Sequence, residues 1–128
     1  MRLLLDTCTF LWAVSAVPRL SEVARRLIVD TANEPYFSAV SAWEICVKHK
    51  LGALALGEPP GVFIPKYRKA HGFRELPLEE LSTLQLVRLP DLHRDPFDRM
   101  LICQAVAHGM AIVTPDPLVT QYPVRTIW

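Results

Sequence analysis

Cysteine is scarce in this chain. Cys8, Cys46 and Cys103 are odd in number and far apart, so no zinc-type spacing exists. They read as reduced, mostly buried thiols of an intracellular, cytoplasmic protein. A dominant charge is missing too: 14 basic and 13 acidic residues leave a net +1. No global field announces nucleic acid, although a local basic patch stays open. No apolar run reaches the length of a membrane span. Asp6 interrupts the leucines after Met1 before a signal-peptide core can form. There is no glycine-rich phosphate loop, no GxSxG elbow and no HExxH. Internal repeats and low-complexity segments are likewise missing.

What is present is a core. At 128 residues the chain reads as one domain over residues 1–128. Chains of this size hide roughly two-thirds of their unfolded surface. Hydrophobic residues make up 51% and charged ones 21%, a globular balance. The apolar share is near the upper end of the usual range and points to a subunit or partner interface.

Residues 2–5 read as a short strand buried on both faces. SEVARRLIVDTAN, from Ser21, reads as a helix with Val23, Leu27 and Ile28 on its apolar stripe. Residues 35–38 suggest a second strand, and SAVSAWEICVKHKLG a helix stopped at Gly52. GEPPG marks a break within one domain. A helix over 62–70, bent by Pro65, a strand over 73–76 and a helix over 78–86 follow. Asp95 suits an N-cap, Pro96 the first helical position and Gly109 the C-terminal stop of DPFDRMLICQAVAHG. Residues 110–113 and 124–128 complete the strands. Strands alternating with helices predict an α/β/α sandwich around a mainly parallel central sheet.

In open α/β sheets, ligands collect beyond the carboxyl ends of the strands. Asp6 ends the first strand, and Asp116 follows the 110–113 strand. Glu44 lies early in the helix after the second strand. Asp95 and Asp98, three apart, open the long helix. Clustered carboxylates repel and resist desolvation. A hard divalent cation relieves both costs and can stabilise displacement at phosphorus. Taken singly, each acid has a plainer role. Asp6 and Asp95 suit helix caps. Glu44 suits a capping box with Ser41 or an ion pair with Lys48. Asp98 suits the helix dipole, and Asp116 a turn with Pro117. Their joint placement at one sheet edge is what these roles leave unexplained. The histidines, His49, His71, His93 and His108, read as mostly solvent-facing.

Four segments, LLLDT, SAVSAWEI, HRDPFDRMLICQA and IVTPD, give the chain its resemblance to the PIN-domain family, and within it to the VapC-type toxins of toxin–antitoxin pairs. The closing stretch 122–128 resembles the end of one such subgroup. The resemblance implies an α/β/α sandwich with an acidic, Mg²⁺- or Mn²⁺-dependent ribonuclease site. The family's acids fall on Asp6, Glu44, Asp98 and Asp116, with Asp6, Asp98 and Asp116 expected at the metal. Asp95 falls on an additional acid of the HRDPFDR subgroup, and Thr7 and Thr114 on hydroxyls beside the first and last acids. Cys8 and Pro115 depart from the family pattern, where polar residues are common. Neither replaces a ligand.

The implied partners are RNA, a cognate antitoxin and a second copy of the chain. Lys48, Lys50, Arg94 and Arg99 are the cations nearest the acids in sequence. Lys66, Arg68 and Lys69 form a further cluster beside Tyr67. Residues 10–14 and 62–64 are dense apolar segments suited to the core or to a partner. Two other readings remain: a non-catalytic interaction module on the same fold, and a housekeeping RNA-processing nuclease. A phosphatase of the haloacid-dehalogenase type would need a second acid two residues after Asp6, where Cys8 stands.

Overall fold

The structure is a computed structural model that describes residues 1–15 and 17–128. The strands are β1 (Arg2–Leu5), β2 (Glu34–Ser38), β3 (Arg74–Leu76), β4 (Ala111–Val113) and β5 (Thr126–Ile127). The helices are α1 (Thr7–Ser15), α2 (Glu22–Val29), α3 (Ala39–Lys50), α4 (Pro60–Ala70), α5 (Glu80–Leu84), α6 (Pro96–His108) and α7 (Pro117–Thr120). A 3₁₀ turn, Gln85–Arg88, follows α5. The sheet runs β3-β2-β1-β4-β5 and every pairing is parallel. The expectation of a mainly parallel α/β/α sandwich is met.

The leucine run of β1 is explained by its two faces. Leu3 and Leu5 pack on one side with Phe10 of α1, Ala24 of α2 and Phe63 of α4. Leu4 packs on the other with Leu101, Ile102 and Ala105 of α6. A strand alternates its side chains across the sheet, so a central strand covered by helices on both faces needs apolar residues throughout. From β1 the chain winds outward to β2 and β3; from β4 it turns the other way to β5. The strand order therefore reverses between β1 and β4, the place where such sheets open a crevice. Asp6 and Thr114 directly follow these two strands.

Several local expectations need correction. α1 follows Asp6, where a capped helix is one of the two expectations, but the extent of the helix is not signalled, because five successive apolar residues, 10–14, give no helical period. On α2 the buried position is Ala24, while Val23 is 52% exposed. α3 is capped by Ser38, whose hydroxyl accepts from the Val40 amide at 2.9 Å. Ser41 is thus inside the helix, and the proposed capping box with Glu44 does not form. α4 begins two residues early, since Pro60 suits the first turn. The helix expected over 78–86 is shorter and gives way to the 3₁₀ turn. At the end of α6, Gly109 takes φ 65°, the left-handed stop expected of it.

Candidate active site

Asp6 is 7% exposed. Its Oδ1 accepts from the Thr9 amide at 2.8 Å, so it does cap the start of α1. Thr9 is fixed in turn by donating to the Val113 carbonyl at 2.8 Å, which ties α1 to β4. Burial pushes the Asp6 carboxyl above its ordinary value; hydrogen bonding to Thr114 and Thr9 opposes this, and the charge of Asp116 adds to it. A buried acid facing another acid is the electrostatic tension that a cation would relieve.

Asp98 lies in the first turn of α6, which Asp95 caps by accepting from the Phe97 and Asp98 amides at 2.9 and 3.1 Å. Burial pushes the Asp98 carboxyl up to about 6, and the charge of Asp95 adds to it. His93, whose Nε2 is 3.2 Å from Asp98 Oδ2, works against the shift, while Asp116 and Glu44 reinforce it. Asp116 caps the short helix α7 by accepting from the Leu118 amide at 2.9 Å. Its own amide donates to Thr114 Oγ1 at 3.1 Å.

Glu44 is 5% exposed, and both its oxygens are engaged. The Thr7 hydroxyl lies 2.6 Å from Oε1, and Lys48 pairs with Oε2. Thr7 is also 3.0 Å from Ser41 Oγ. One hydroxyl carries one proton. The shorter, charge-assisted contact takes it, so Ser41 donates to Thr7.

Asp6, Glu44, Asp98 and Asp116 line one cavity of about 350 Å³ with Thr7, Cys8 and Trp12. Acids from four chain regions therefore meet at the sheet's carboxyl edge. Asp95 and Thr114 do not line this cavity; they support it from the α6 cap and from beneath Asp116. The donors are all hard oxygens and suit Mg²⁺ or Mn²⁺. Among the described residues no three Asp, Glu, His or Cys side chains stand close enough to grip an ion together.

The candidate RNA contacts divide. Arg94 and Lys50 are exposed. Lys48 is committed to Glu44. Arg99 is only 12% exposed and clasps its own loop, donating to the Pro90 carbonyl at 2.9 Å and to Asp91 Oδ1 at 2.9 Å. In the further cluster, Lys66 pairs with Glu58 at 3.1 Å and Arg68 with Glu75 at 2.8 Å. Tyr67 packs on Phe63 with ring centroids 4.6 Å apart. Two expectations fail: Cys8 and Cys46 are exposed and only Cys103 is buried, and of the four histidines expected to be mostly solvent-facing only His71 is exposed, the His93 side chain being 8% exposed. His93 and its partner Tyr122 were missed as site residues, since they stand 29 positions apart and no local pattern links them.

A parallel sheet with reversed strand order and an acid-lined pocket at its carboxyl edge defines the class of molecule: a small α/β protein built to present clustered carboxylates. Residues 3–123 match the PIN domain, and the chain belongs to that family. It is similar to Ribonuclease VapC16 of Mycobacterium tuberculosis (strain ATCC 25618 / H37Rv), 33% identical over 70 residues, which are 52% of this chain and 50% of that one. The match thus spans about half the length of that relative. The fold is similar to VapBC2 of Rickettsia felis, bound to a DNA fragment from its promoter, with a TM-score of 0.75, 13% identity and coverage of 99% of this chain and 98% of that one. It is also similar to VapBC-5 of Mycobacterium tuberculosis, a member of the VapBC family of toxin–antitoxin systems. There the TM-score is 0.57 at 15% identity, covering 94% of this chain and 89% of the other.

Proposed function

We propose that the protein is a Mg²⁺- or Mn²⁺-dependent endoribonuclease that acts as the toxin of a toxin–antitoxin pair in the cytoplasm. The observation that carries this reading is the meeting of Asp6, Glu44, Asp98 and Asp116 on one cavity. Its support is the PIN membership and the likeness to a named ribonuclease. Asp6, Asp98 and Asp116 would hold the cation directly or through water. When bound, it supplies charge neutralisation at the scissile phosphate and activation of a water.

The chain's own residues do the rest. Thr9 and Thr114 fix the Asp6 side of the pocket, and the Asp95 cap fixes the start of α6. Glu44, held by Thr7 and Lys48, keeps a lysine ammonium beside the acids, where a phosphate would sit. Arg94 and Lys50 offer further cations for the RNA backbone. A recessed pocket favours a single-stranded loop, whose backbone can be drawn in. The likeness to VapBC assemblies supports an antitoxin partner for this chain, and a homodimer is part of the same proposal.

The test is cleavage of a panel of structured RNAs with Mg²⁺ or Mn²⁺, with and without EDTA. Asp6→Asn should lower kcat by about 100-fold or more, as loss of one charge-stabilising group does elsewhere. Intact metal-dependent cleavage by Asp6→Asn would overturn the site. EDTA-resistant cleavage by the wild type would overturn the metal dependence.

A further inference from the structure

His93 stands in the loop before α6 with its two ring nitrogens in different contacts. Nε2 is 3.2 Å from Asp98 Oδ2, and Nδ1 is 2.7 Å from the Tyr122 hydroxyl. A neutral imidazole donates from one nitrogen and accepts at the other. The distances alone leave the direction open, and Tyr122 settles it. Its oxygen receives the His93 backbone N–H at 3.1 Å and Arg99 Nη1 at 3.0 Å. Both partners can only donate. A phenol has two acceptor sites and one proton, so both acceptor sites are filled. The third contact must be the Tyr122 proton donated to His93 Nδ1. The imidazole proton then sits on Nε2 and points at Asp98.

We propose that His93 is a positioning residue: Tyr122 locks it as the Nε2–H tautomer, and that N–H holds the Asp98 carboxylate in a fixed orientation at the acidic pocket. The proposal rests on the reading of Asp98 as a metal-holding acid and assigns the group that aims it. Metal-ligating side chains are commonly oriented in this way by a hydrogen-bonded partner one layer out. Among the described residues, His93 is the one side chain that hydrogen-bonds Asp98's carboxylate, through Oδ2. Tyr122 is 3% exposed, so its hydroxyl has little competition from water. Arg99 couples the parts, since one guanidinium grips Tyr122, the Pro90 carbonyl and Asp91. The segment after α7 thereby sets the orientation of an acid on α6, far away in sequence.

Two readouts test this in the full chain. In protein carrying ¹⁵N-labelled histidine, the His93 nitrogen shifts should report a protonated Nε2 and a bare Nδ1. Tyr122→Phe removes only the hydroxyl and should release that preference. Separately, Mn²⁺ binding is followed by calorimetry. His93→Leu and Tyr122→Phe should each weaken it by about 10-fold or more, the usual effect of losing such an outer partner. His93→Gln keeps a donor near the Nε2 position and should recover most of the loss, which a purely space-filling role would not give. A proton on Nδ1 in the wild type, or Mn²⁺ affinity unchanged in a folded His93→Leu, overturns the proposal. If the wild type binds no Mn²⁺, the metal reading of the pocket fails instead, and the nitrogen shifts alone then decide the His93 assignment.

Discussion

Thr7 and Glu44 are 37 positions apart, yet the Thr7 hydroxyl donates to Glu44 Oε1 at 2.6 Å. The bond joins the first turn of α1 to the middle of α3 across the mouth of the sheet. Glu44 is buried, so an unpartnered oxygen there cannot turn to water. Thr7→Val keeps the shape and removes the donor. It should lower stability by about 1–3 kcal/mol, the cost of leaving a buried polar group unmatched. Thr7→Ser should retain most of the wild-type value. Urea denaturation midpoints compare the three proteins, and a Thr7→Val midpoint equal to wild type would show that Glu44 is not held in this way.

The acids leave a mark on the pH dependence of stability. Asp98 is raised from 3.8 to about 6, chiefly by burial, and Asp6 is raised in the same direction. For an acid shifted upward, the folded state holds the proton where the unfolded state has lost it. Stability contributed by that group therefore falls as pH rises through the window between the two values. For Asp98 that window runs from 3.8 to about 6. Without metal, Asp98→Asn should flatten the slope in this range and raise stability at pH 7 by about 1 kcal/mol, reduced by the partial solvent access of the group. Equal slopes for variant and wild type between pH 4 and 7 would contradict the shift.

How much of this was legible beforehand depended on whether a residue's role was local. Asp95, Pro96 and Gly109 announce the two ends of α6, because caps and left-handed stops depend on neighbours a few residues away. The Leu3-Leu4-Leu5 run announces a strand covered on both faces. Asp6 and Asp116 could be placed at one edge because parallel topology brings strand ends together. What stayed hidden was pairing across the fold. Arg99 looked like a cation for RNA, and only the folded loop shows its guanidinium spent on Pro90, Asp91 and Tyr122. Lys48 suits both an ion pair with Glu44 and an RNA contact from its sequence position, and the structure shows the ion pair. Asp6 marks the start of α1, but its extent is not legible, since a helix apolar on nearly every side carries no periodic signal.

Metal should reverse the pH effect. An ion that binds only the folded state stabilises it by mass action, about 2.7 kcal/mol when present at one hundred times its Kd. Mg²⁺ or Mn²⁺ should raise the thermal midpoint more at pH 7 than at pH 5, where protons compete for Asp98 and Asp6. EDTA should return it to the metal-free value. Asp116→Asn should shrink the gain without abolishing the fold, because an asparagine oxygen can still cap α7. A midpoint indifferent to the ion at both pH values would remove the pocket's claim to a cation.

Arg94 and Arg99 should separate binding from stability. Arg94 is exposed and carries no ion pair among the described residues, whereas Arg99 is only 12% exposed and fully engaged. Arg94→Ala should therefore leave stability within about 0.5 kcal/mol, as surface substitutions do. It should weaken binding to single-stranded RNA and reduce the slope of log affinity against log salt by about one, the signature of one lost phosphate contact. Arg99→Ala should do the reverse: lower stability by about 1–3 kcal/mol through the acceptors it abandons, with the salt slope near wild type. Binding measured by fluorescence anisotropy on an uncleavable RNA analogue across a salt series, beside urea melts of both variants, compares them directly. A salt slope that changes with Arg99 and not with Arg94 would place the RNA track on the opposite side of this loop.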